Sequence, residues 1–272
     1  MHPILRVSAV RVVNRFASGM VAGLLVLSGA GCKTTDNDVT GSVGPASAYR
    51  SESNWRRELE VWAPRYQADP SDADAAMAYS RALRATGQHA QAAAVLRQAS
   101  IHNPRNMRLL GDYGRALSDV GKYAEALDAL NRAHTPDNPD WRILNAQGAV
   151  LDQIGRHREA QAHYSAALKI VPNEPSVLSN LGLSHALGKN LKTAELMLRK
   201  AVAQPGANPK MAQNLALVIG LQGRFTEAEK IASANLPADE AKANVAYLRQ
   251  MLARQNTGEK KAKRGGRSNP SS

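Results

Sequence analysis

Arginine and asparagine side chains offer the chemistry that stands out in this sequence. An arginine fork holds a carboxylate through two parallel hydrogen bonds, and a side-chain amide pairs with extended peptide backbone. The candidate partner-binding residues are Arg81, Arg84, Arg108, Arg115, Arg142, Asn145, Asn180, Lys210 and Asn214. They form a site only if a regular scaffold places them on one surface. In the alternative interpretation the arginines are solvated, or paired with Asp112, Asp119 and Asp152 nearby.

Catalytic residue patterns are missing from the sequence, which favours a binding protein over an enzyme. The seven histidines form no HExxH zinc motif, and the sequence contains neither a GxSxG elbow nor a phosphate-binding loop. We expect His89, His157 and His163 to face solvent. No cofactor, metal or small-molecule substrate is therefore predicted.

The formal net charge of +12 raises the question of nucleic-acid binding. More than half of this charge lies in residues 1–31 and 256–272, and the remainder is spread along the middle of the chain. Phosphate binding requires a concentrated basic face, so no nucleic-acid partner is predicted. The aromatic content of 4% and the single cysteine exclude a disulfide framework and favour a helical core of Ala and Leu.

A period of 34 residues organises the middle of the chain. Alanine recurs at this interval at Ala92, Ala126, Ala160, Ala194 and Ala228. Twelve residues before each alanine stands another small residue: Ser80, Gly114, Gly148, Gly182 and Ala216. Two antiparallel helices approach closely only where neither presents a bulky side chain. The paired columns therefore predict a helical hairpin in every period.

A glycine column marks the turn of each predicted hairpin. It consists of Gly87, Gly121, Gly155 and Gly223. Glycine adopts the left-handed conformation that ends many helices without a steric penalty. The fourth period has Lys189 at this position, and we expect Gly188 to serve there instead.

These columns resemble the tetratricopeptide repeat family, whose unit is a helix, a tight turn and a second helix. The units that fit are residues 73–106, 107–140, 141–174, 175–208 and 209–242. The resemblance implies an all-α, right-handed superhelical solenoid of about five repeats with flanking capping helices. Residues 52–72, with Trp55, Leu59 and Trp62 at helical spacing, are predicted to form the front cap, and residues 243–255 the closing helix.

In this family the first helices of the units line the inner curve, where partners usually bind. The resemblance thus implies that the nine candidate residues line a groove. We expect the arginines of the first three units to make its N-terminal half cationic. Further on, Asn180 and Asn214 lie among Leu183, Leu187, Leu217 and Leu221. Such a groove is expected to bind an acidic or extended segment of another protein.

Residues 1–31 have the three parts of an export signal: a basic start, an apolar stretch from Phe16 to Leu27, and small residues before Cys32. The stretch is shorter than the roughly 20 residues of a membrane-spanning helix. The segment resembles a bacterial lipoprotein signal, which implies acylation of Cys32, although Gly29 stands where that family has Leu. Lys33 after the cysteine implies the outer membrane, facing the periplasm. The alternative is an ordinary signal peptide cut near Ala30.

The two polar end segments are predicted to lack fixed structure. Residues 32–51 have no apolar period and contain Gly44-Pro45, so we interpret them as a flexible tether. Residues 256–272 are rich in Lys, Arg, Gly and Ser and are interpreted as a disordered basic tail.

Signal, tether and repeats together resemble the TadD family of lipoproteins of the tight-adherence (Flp) pilus. The resemblance implies a non-enzymatic assembly or pilot protein that binds a secretin or other pilus components. Its location would be the cell envelope, with a lipid anchor in the outer membrane. A general periplasmic scaffold, for example in outer-membrane protein assembly, shares the anchor and the repeats and stays open as the alternative.

Overall fold

The computed structural model describes residues 52–234 and 236–265. Within these residues there is no β-strand, and the one isolated bridge joins Thr135 and Asn138. The helices are α1 (Glu52–Ala68), α2 (Ala73–Ala85), α3 (His89–His102), α4 (Met107–Asp119), α5 (Tyr123–Asn131), α6 (Trp141–Gln153), α7 (His157–Ile170), α8 (Pro175–Leu187), α9 (Leu191–Val202), α10 (Pro209–Leu221), α11 (Phe225–Ser233) and α12 (Ala238–Gly265). The expected all-α repeat solenoid is confirmed.

The helices keep the 34-residue period. The first helices of the hairpins, α2, α4, α6, α8 and α10, begin at residues 73, 107, 141, 175 and 209. The second helices begin at residues 89, 123, 157, 191 and 225. Because both series advance by the same interval, residues one period apart occupy equivalent places in successive hairpins.

The chain divides into two compact units, the first ending at His163 and the second beginning at Tyr164. In the first unit α1 packs on α2, and α3 packs on both α2 and α4. In the second unit α9 packs on both α8 and α10. A second helix therefore joins its own hairpin to the first helix of the next one.

The hairpin turns use a left-handed residue at one equivalent place. Gly87, Gly121, Gly155 and Gly223 have φ angles between +79° and +84°. In the fourth hairpin Lys189 itself adopts a φ of +66°, so the expectation that Gly188 would serve is wrong. The backbone N–H of Asn190 still closes the turn on the carbonyl of His185 at 2.8 Å. Hydrogen bonding in the turn thus outweighs the cost of roughly 1–2 kcal/mol for a left-handed residue with a side chain.

The small residues allow the two helices of a hairpin to cross closely. The alanines of the 34-residue column are all fully buried. A Cβ atom added to Gly182 would lie 2.7 Å from Cγ of Leu198 and 3.1 Å from the carbonyl oxygen of Ala194. Gly114 has the same relation to Leu130 and to the Ala126 carbonyl. The space beside each glycine is thus filled by a leucine of the second helix.

Additional helices cover both ends of the repeats. Leu59 and Trp62 of α1 pack on the core of the first hairpin. Val245 of α12 joins the core of the last hairpin, and Leu248 lies against Gly220. The helices α1 and α12 therefore bury apolar surface that a terminal repeat would otherwise expose.

The closing helix is longer than the sequence analysis predicted. It begins at Ala238, not at 243, and continues to Gly265, through the first part of the segment expected to be disordered from residue 256. Residues 259–264 are Glu, Lys, Ala and Arg, which have high helix propensity. They extend a helix that is already packed, so no new nucleation is required.

The predicted signal at residues 1–31, Cys32 and the tether at 32–51 lie outside the described residues, as do Asn235 and residues 266–272. None of the helices in the described part combines the length and the apolar character required to cross a bilayer.

Replacing Gly182 by valine is expected to destabilise the second unit by about 2 kcal/mol, because the branched side chain overlaps Leu198 in a packed crossing. The matched control is Ala246→Val, at an exposed position of α12, which should cost only a few tenths of a kcal/mol through helix propensity. Chemical denaturation followed by circular dichroism measures both. Equal stability of the two variants would contradict the close crossing.

Candidate functional site

The first helices of neighbouring hairpins lie side by side. In the first unit α2 contacts α4 and α4 contacts α6, and in the second unit α8 contacts α10. We call the surface of α2, α4 and α6 the cationic face, and the surface of α8 and α10 the amide face. The nine candidate residues are divided between these two surfaces: Arg81, Arg84, Arg108, Arg115, Arg142 and Asn145 on the cationic face, and Asn180, Lys210 and Asn214 on the amide face.

Contacts between neighbouring first helices join residues that are 34 or 35 positions apart in the sequence. The Nε atom of Arg84 on α2 lies 2.5 Å from Oδ2 of Asp119 on α4. On the amide face, Nδ2 of Asn214 donates to Oγ of Ser179 at 3.3 Å. Both pairs are separated by 35 residues. A side chain on one first helix can therefore pair with a side chain on the next and make it less able to bind a partner.

Two of the candidate arginines are held by carboxylates of the same face. Arg84 is paired with Asp119, and Nη1 of Arg115 lies 2.8 Å from Oδ1 of Asp112. The alternative of internal pairing therefore holds for these two residues. Asp152, the third acid considered, lies instead 2.8 Å from Nδ1 of His157. Arg84 and Arg115 are less available to a partner than the sequence suggested.

Three other arginines leave their charge exposed on the cationic face. Arg81 is exposed and has no carboxylate within ion-pair distance in the described part of the chain. Arg108 is 78% exposed, and its nearest acid, Asp74, is 3.9 Å away and 82% exposed. Such an exposed pair contributes little binding energy. The guanidinium of Arg142 stacks 4.4 Å above the ring of Trp141, which orients the group without neutralising it.

The amide face has different chemistry. Asn180 and Asn214 are half-buried, and Lys210 is exposed near the start of α10. Leu217 is buried, whereas Leu183 remains partly exposed. Asn145 is not equivalent to the other two asparagines, because it is the fifth residue of its first helix and they are the sixth of theirs. The amide face thus offers one cation beside amide and apolar groups.

A buried polar cluster lies behind the cationic face, and the sequence analysis missed it. The side chain of Gln147 on α6 is almost fully buried and donates to Oδ1 of Asn131 at 2.9 Å. Its amide nitrogen lies 3.3 Å from Nε2 of His134. Oε1 of Gln147 and the Nδ1 atoms of His134 and His163 are buried and have no hydrogen-bond partner.

The expectation that His157 and His163 face solvent is wrong. His163 is half-buried, and the side chain of His157 is only 16% exposed and bonded to Asp152. The equivalent residues in the other hairpins indicate this burial. The residues one or two periods away from His163 are Val95, Ala129, Met197 and Ile231. Those one or two periods away from His157 are His89, Tyr123, Leu191 and Phe225. Reading each histidine against its column would have predicted a packed side chain.

Burial, followed by the charge of nearby His134, lowers the pKa of His163 below its ordinary value. Glu159 raises this pKa without reversing the effect of burial, and Arg156 lowers it. The folded chain therefore favours the neutral imidazole.

Two family profiles match the chain. Residues 56–133 match "Anaphase-promoting complex, cyclosome, subunit 3", and residues 145–212 match "Tetratricopeptide repeat". No curated protein sequence matches at a significant level.

The chain is similar in fold to several solved structures. The crystal structure of PilW, described as a widely conserved type IV pilus biogenesis factor, aligns with a TM-score of 0.63 at 16% identity over 88% of this chain and 99% of PilW. The PilF protein of Pseudomonas aeruginosa aligns with a TM-score of 0.52 at 20% identity, over 69% of this chain and 83% of that one. The structure titled human IFIT1 dimer with m7Gppp-AAAA aligns with a TM-score of 0.59 at 17% identity, over 71% of this chain and 49% of IFIT1. Such identities show a shared fold and leave function to the surfaces.

Protonation of His163 is expected to couple stability to pH. Because the folded pKa is depressed, the unfolded chain binds a proton more readily below about pH 6.5. The free energy of unfolding should therefore fall as the pH is lowered from about 7.5 to 5.5. The variant His163→Met places here the residue type that the fourth hairpin has at Met197. In this variant the dependence of the free energy of unfolding on pH should weaken by an amount that corresponds to as much as one bound proton. Denaturant titrations at several pH values measure it.

The matched control for this prediction is His102→Met, which removes an exposed histidine of the same unit. The pH dependence of its free energy of unfolding should stay closer to that of the parent chain. If His163→Met and the parent show the same slope, the assignment of His163 as a neutral buried group is wrong.

Proposed function

We propose that this chain, a tetratricopeptide-repeat protein, works by binding an acidic segment of another protein on its cationic face, stoichiometrically and without turnover. The observation that carries the proposal is the exposure of Arg81, Arg108 and Arg142 on one face of the first unit. The acid nearest to Arg108, Asp74, lies 3.9 Å away and is itself 82% exposed, so this pair neutralises the arginine only weakly. In the described residues, no group of three or more His, Cys, Asp or Glu side chains is arranged to hold a metal ion.

The form of these three arginines suits recognition of carboxylates. Each guanidinium can donate two parallel hydrogen bonds to one carboxylate, which gives direction as well as attraction. The three residues belong to three successive first helices, α2, α4 and α6. An extended acidic segment that crosses these helices would meet one arginine per hairpin. We expect affinity to depend on all three together, because a single rim charge contributes little.

The partner that we propose is a secretin or another component of a pilus assembly apparatus, as in the TadD-like lipoproteins. Three observations support this proposal: the similarity to PilW over nearly all of that chain, the similarity to PilF, and the lipoprotein-like segment that ends at Cys32. In this proposal Cys32 is acylated and holds the protein at the outer membrane, facing the periplasm.

The test reverses the three exposed charges in the full-length chain as Arg81→Glu, Arg108→Glu and Arg142→Glu. The matched control makes the same change in charge at exposed basic residues of the second helices, as Arg97→Glu, Arg158→Glu and Lys200→Glu. Both variants replace the native gene in cells of the source organism. Crosslinking with mass spectrometry identifies the captured partner, and secretin multimers and surface pili are counted.

We expect the reversal on the cationic face to reduce partner capture by about tenfold or more, which corresponds to at least about 1.4 kcal/mol. The control triple should retain capture and pili. Equal capture by the two variants would refute the cationic face as the binding surface. Capture of outer-membrane protein assembly components with normal pili would favour the general scaffold instead.

The anchor is tested separately in the same cells with Cys32→Ser. Labelling with a palmitate analogue should mark the parent chain and fail to mark this variant. Label on the variant would contradict acylation at Cys32.

A further inference from the structure

Positive charge accumulates along α12 beyond what the packing of that helix explains. The two acids Asp239 and Glu240 lie in its first turn. The basic residues that follow are Lys242, Arg249, Arg254, Lys260, Lys261, Lys263 and Arg264, and Glu259 is the one acid among them. Basic residues in a last turn complement the helix dipole, but that effect is confined to the terminal turn. That effect accounts only for Lys263 and Arg264, so the cations that precede the last turn, Lys260 and Lys261 among them, require another explanation.

The packed part of α12 is its N-terminal half. Ala241, Val245 and Leu248 are buried and follow each other at helical spacing against α10 and α11. Met251 and Leu252 are half-buried. Residues 253–265 contain no larger apolar residue, so this part has no apolar stripe to bury. It extends the helix by about 20 Å.

The exposed side of the packed half combines cations with an aromatic ring. Lys242, Arg249 and Arg254 are exposed, and Tyr247 is 56% exposed. The guanidinium of Arg249 lies 4.7 Å above the ring of Phe225. Exposed tyrosines and long basic side chains are the residues that proteins place at the boundary between lipid and water.

We propose that α12, mainly through residues 254–264, binds the anionic headgroups of a phospholipid surface. The proposal rests on the membrane location in the proposed function, because acylation at Cys32 would bring α12 near such a surface. Each basic residue close to an anionic bilayer contributes about 1 kcal/mol, so a net charge of this size gives measurable, salt-sensitive binding. Binding would also stabilise the helical conformation of residues 254–264, because a helical segment this short is only marginally stable in water without packing.

A phospholipid surface fits this segment better than single-stranded nucleic acid does. Proteins that hold single-stranded nucleic acid stack its bases on aromatic side chains. Residues 253–265 contain no aromatic residue. Headgroup phosphates require only a concentration of cations, which the sequence of this segment supplies.

The test uses the chain without its predicted export signal, residues 32–272, carrying Cys32→Ser, so that neither an acyl group nor the apolar stretch from Phe16 to Leu27 contributes. Co-sedimentation is measured with vesicles of phosphatidylcholine and with vesicles of equimolar phosphatidylcholine and phosphatidylglycerol. One variant carries Lys260→Gln, Lys261→Gln, Lys263→Gln and Arg264→Gln. The matched control carries Arg97→Gln, Arg105→Gln, Arg158→Gln and Lys192→Gln, which change exposed residues elsewhere by the same charge.

We expect the parent and the control to bind the anionic vesicles about tenfold more tightly, or better, than the neutral ones. The α12 variant should lose this preference. Salt that shortens the Debye length from about 10 Å to about 3 Å should abolish it in all chains. Circular dichroism verifies that both variants remain folded.

An α12 variant that binds anionic vesicles as tightly as the parent would overturn the proposal. So would a parent chain that shows no preference for anionic vesicles, or one that binds duplex DNA but not the vesicles. These outcomes leave the proposed function intact, because that function is tested by acylation of Cys32 and by partner capture in cells. Loss of acylation or of capture, with vesicle binding retained, would refute the proposed function alone.

Discussion

The close approach of two helices in each hairpin is the constraint on which the rest of the structure depends. Ala126, Ala194 and their equivalents are fully buried at this crossing, and Gly114 and Gly182 leave room for a leucine from the second helix. A larger residue at either place would separate the helices and change the direction of the chain at the next turn. Because the constraint returns every 34 residues, neighbouring first helices within each unit lie against each other.

This regularity determines which polar side chains pair with each other inside the protein and which remain able to bind a partner. Equivalent places on neighbouring hairpins meet, so Arg84 reaches Asp119 and loses its freedom to bind a partner. The second helices of the second unit use the same principle, since Glu195 on α9 pairs with Arg199 and with Arg224 of the next hairpin. Burial alone would raise the pKa of Glu195. The hydrogen bonds from Gln222 and the two arginines outweigh burial and hold this pKa below its usual value.

Much of the fold could be predicted from the sequence, because small-residue columns and turn glycines act locally and repeat. Pairing with nearby acids was one of two alternatives, but which arginines are paired could not be predicted, since this depends on side-chain directions across neighbouring turns and helices. At Lys189 the preference for glycine at a left-handed position did not predict the structure, because Lys189 itself adopts the positive φ angle. In α12 the packed N-terminal half allows the helix to continue through residues that were expected to be disordered. The burial of His163 was readable in its column, where the other hairpins carry only apolar residues.

The side-by-side placement of equivalent first-helix residues is tested most directly by spin labels at Arg108→Cys and Arg142→Cys in a Cys32→Ser background. Both residues are exposed and lie one period apart on the contacting helices α4 and α6. At an interaxial distance of about 10 Å the labels should show strong dipolar broadening in the continuous-wave spectrum. A spectrum of the double variant equal to the sum of the two single variants would contradict the account.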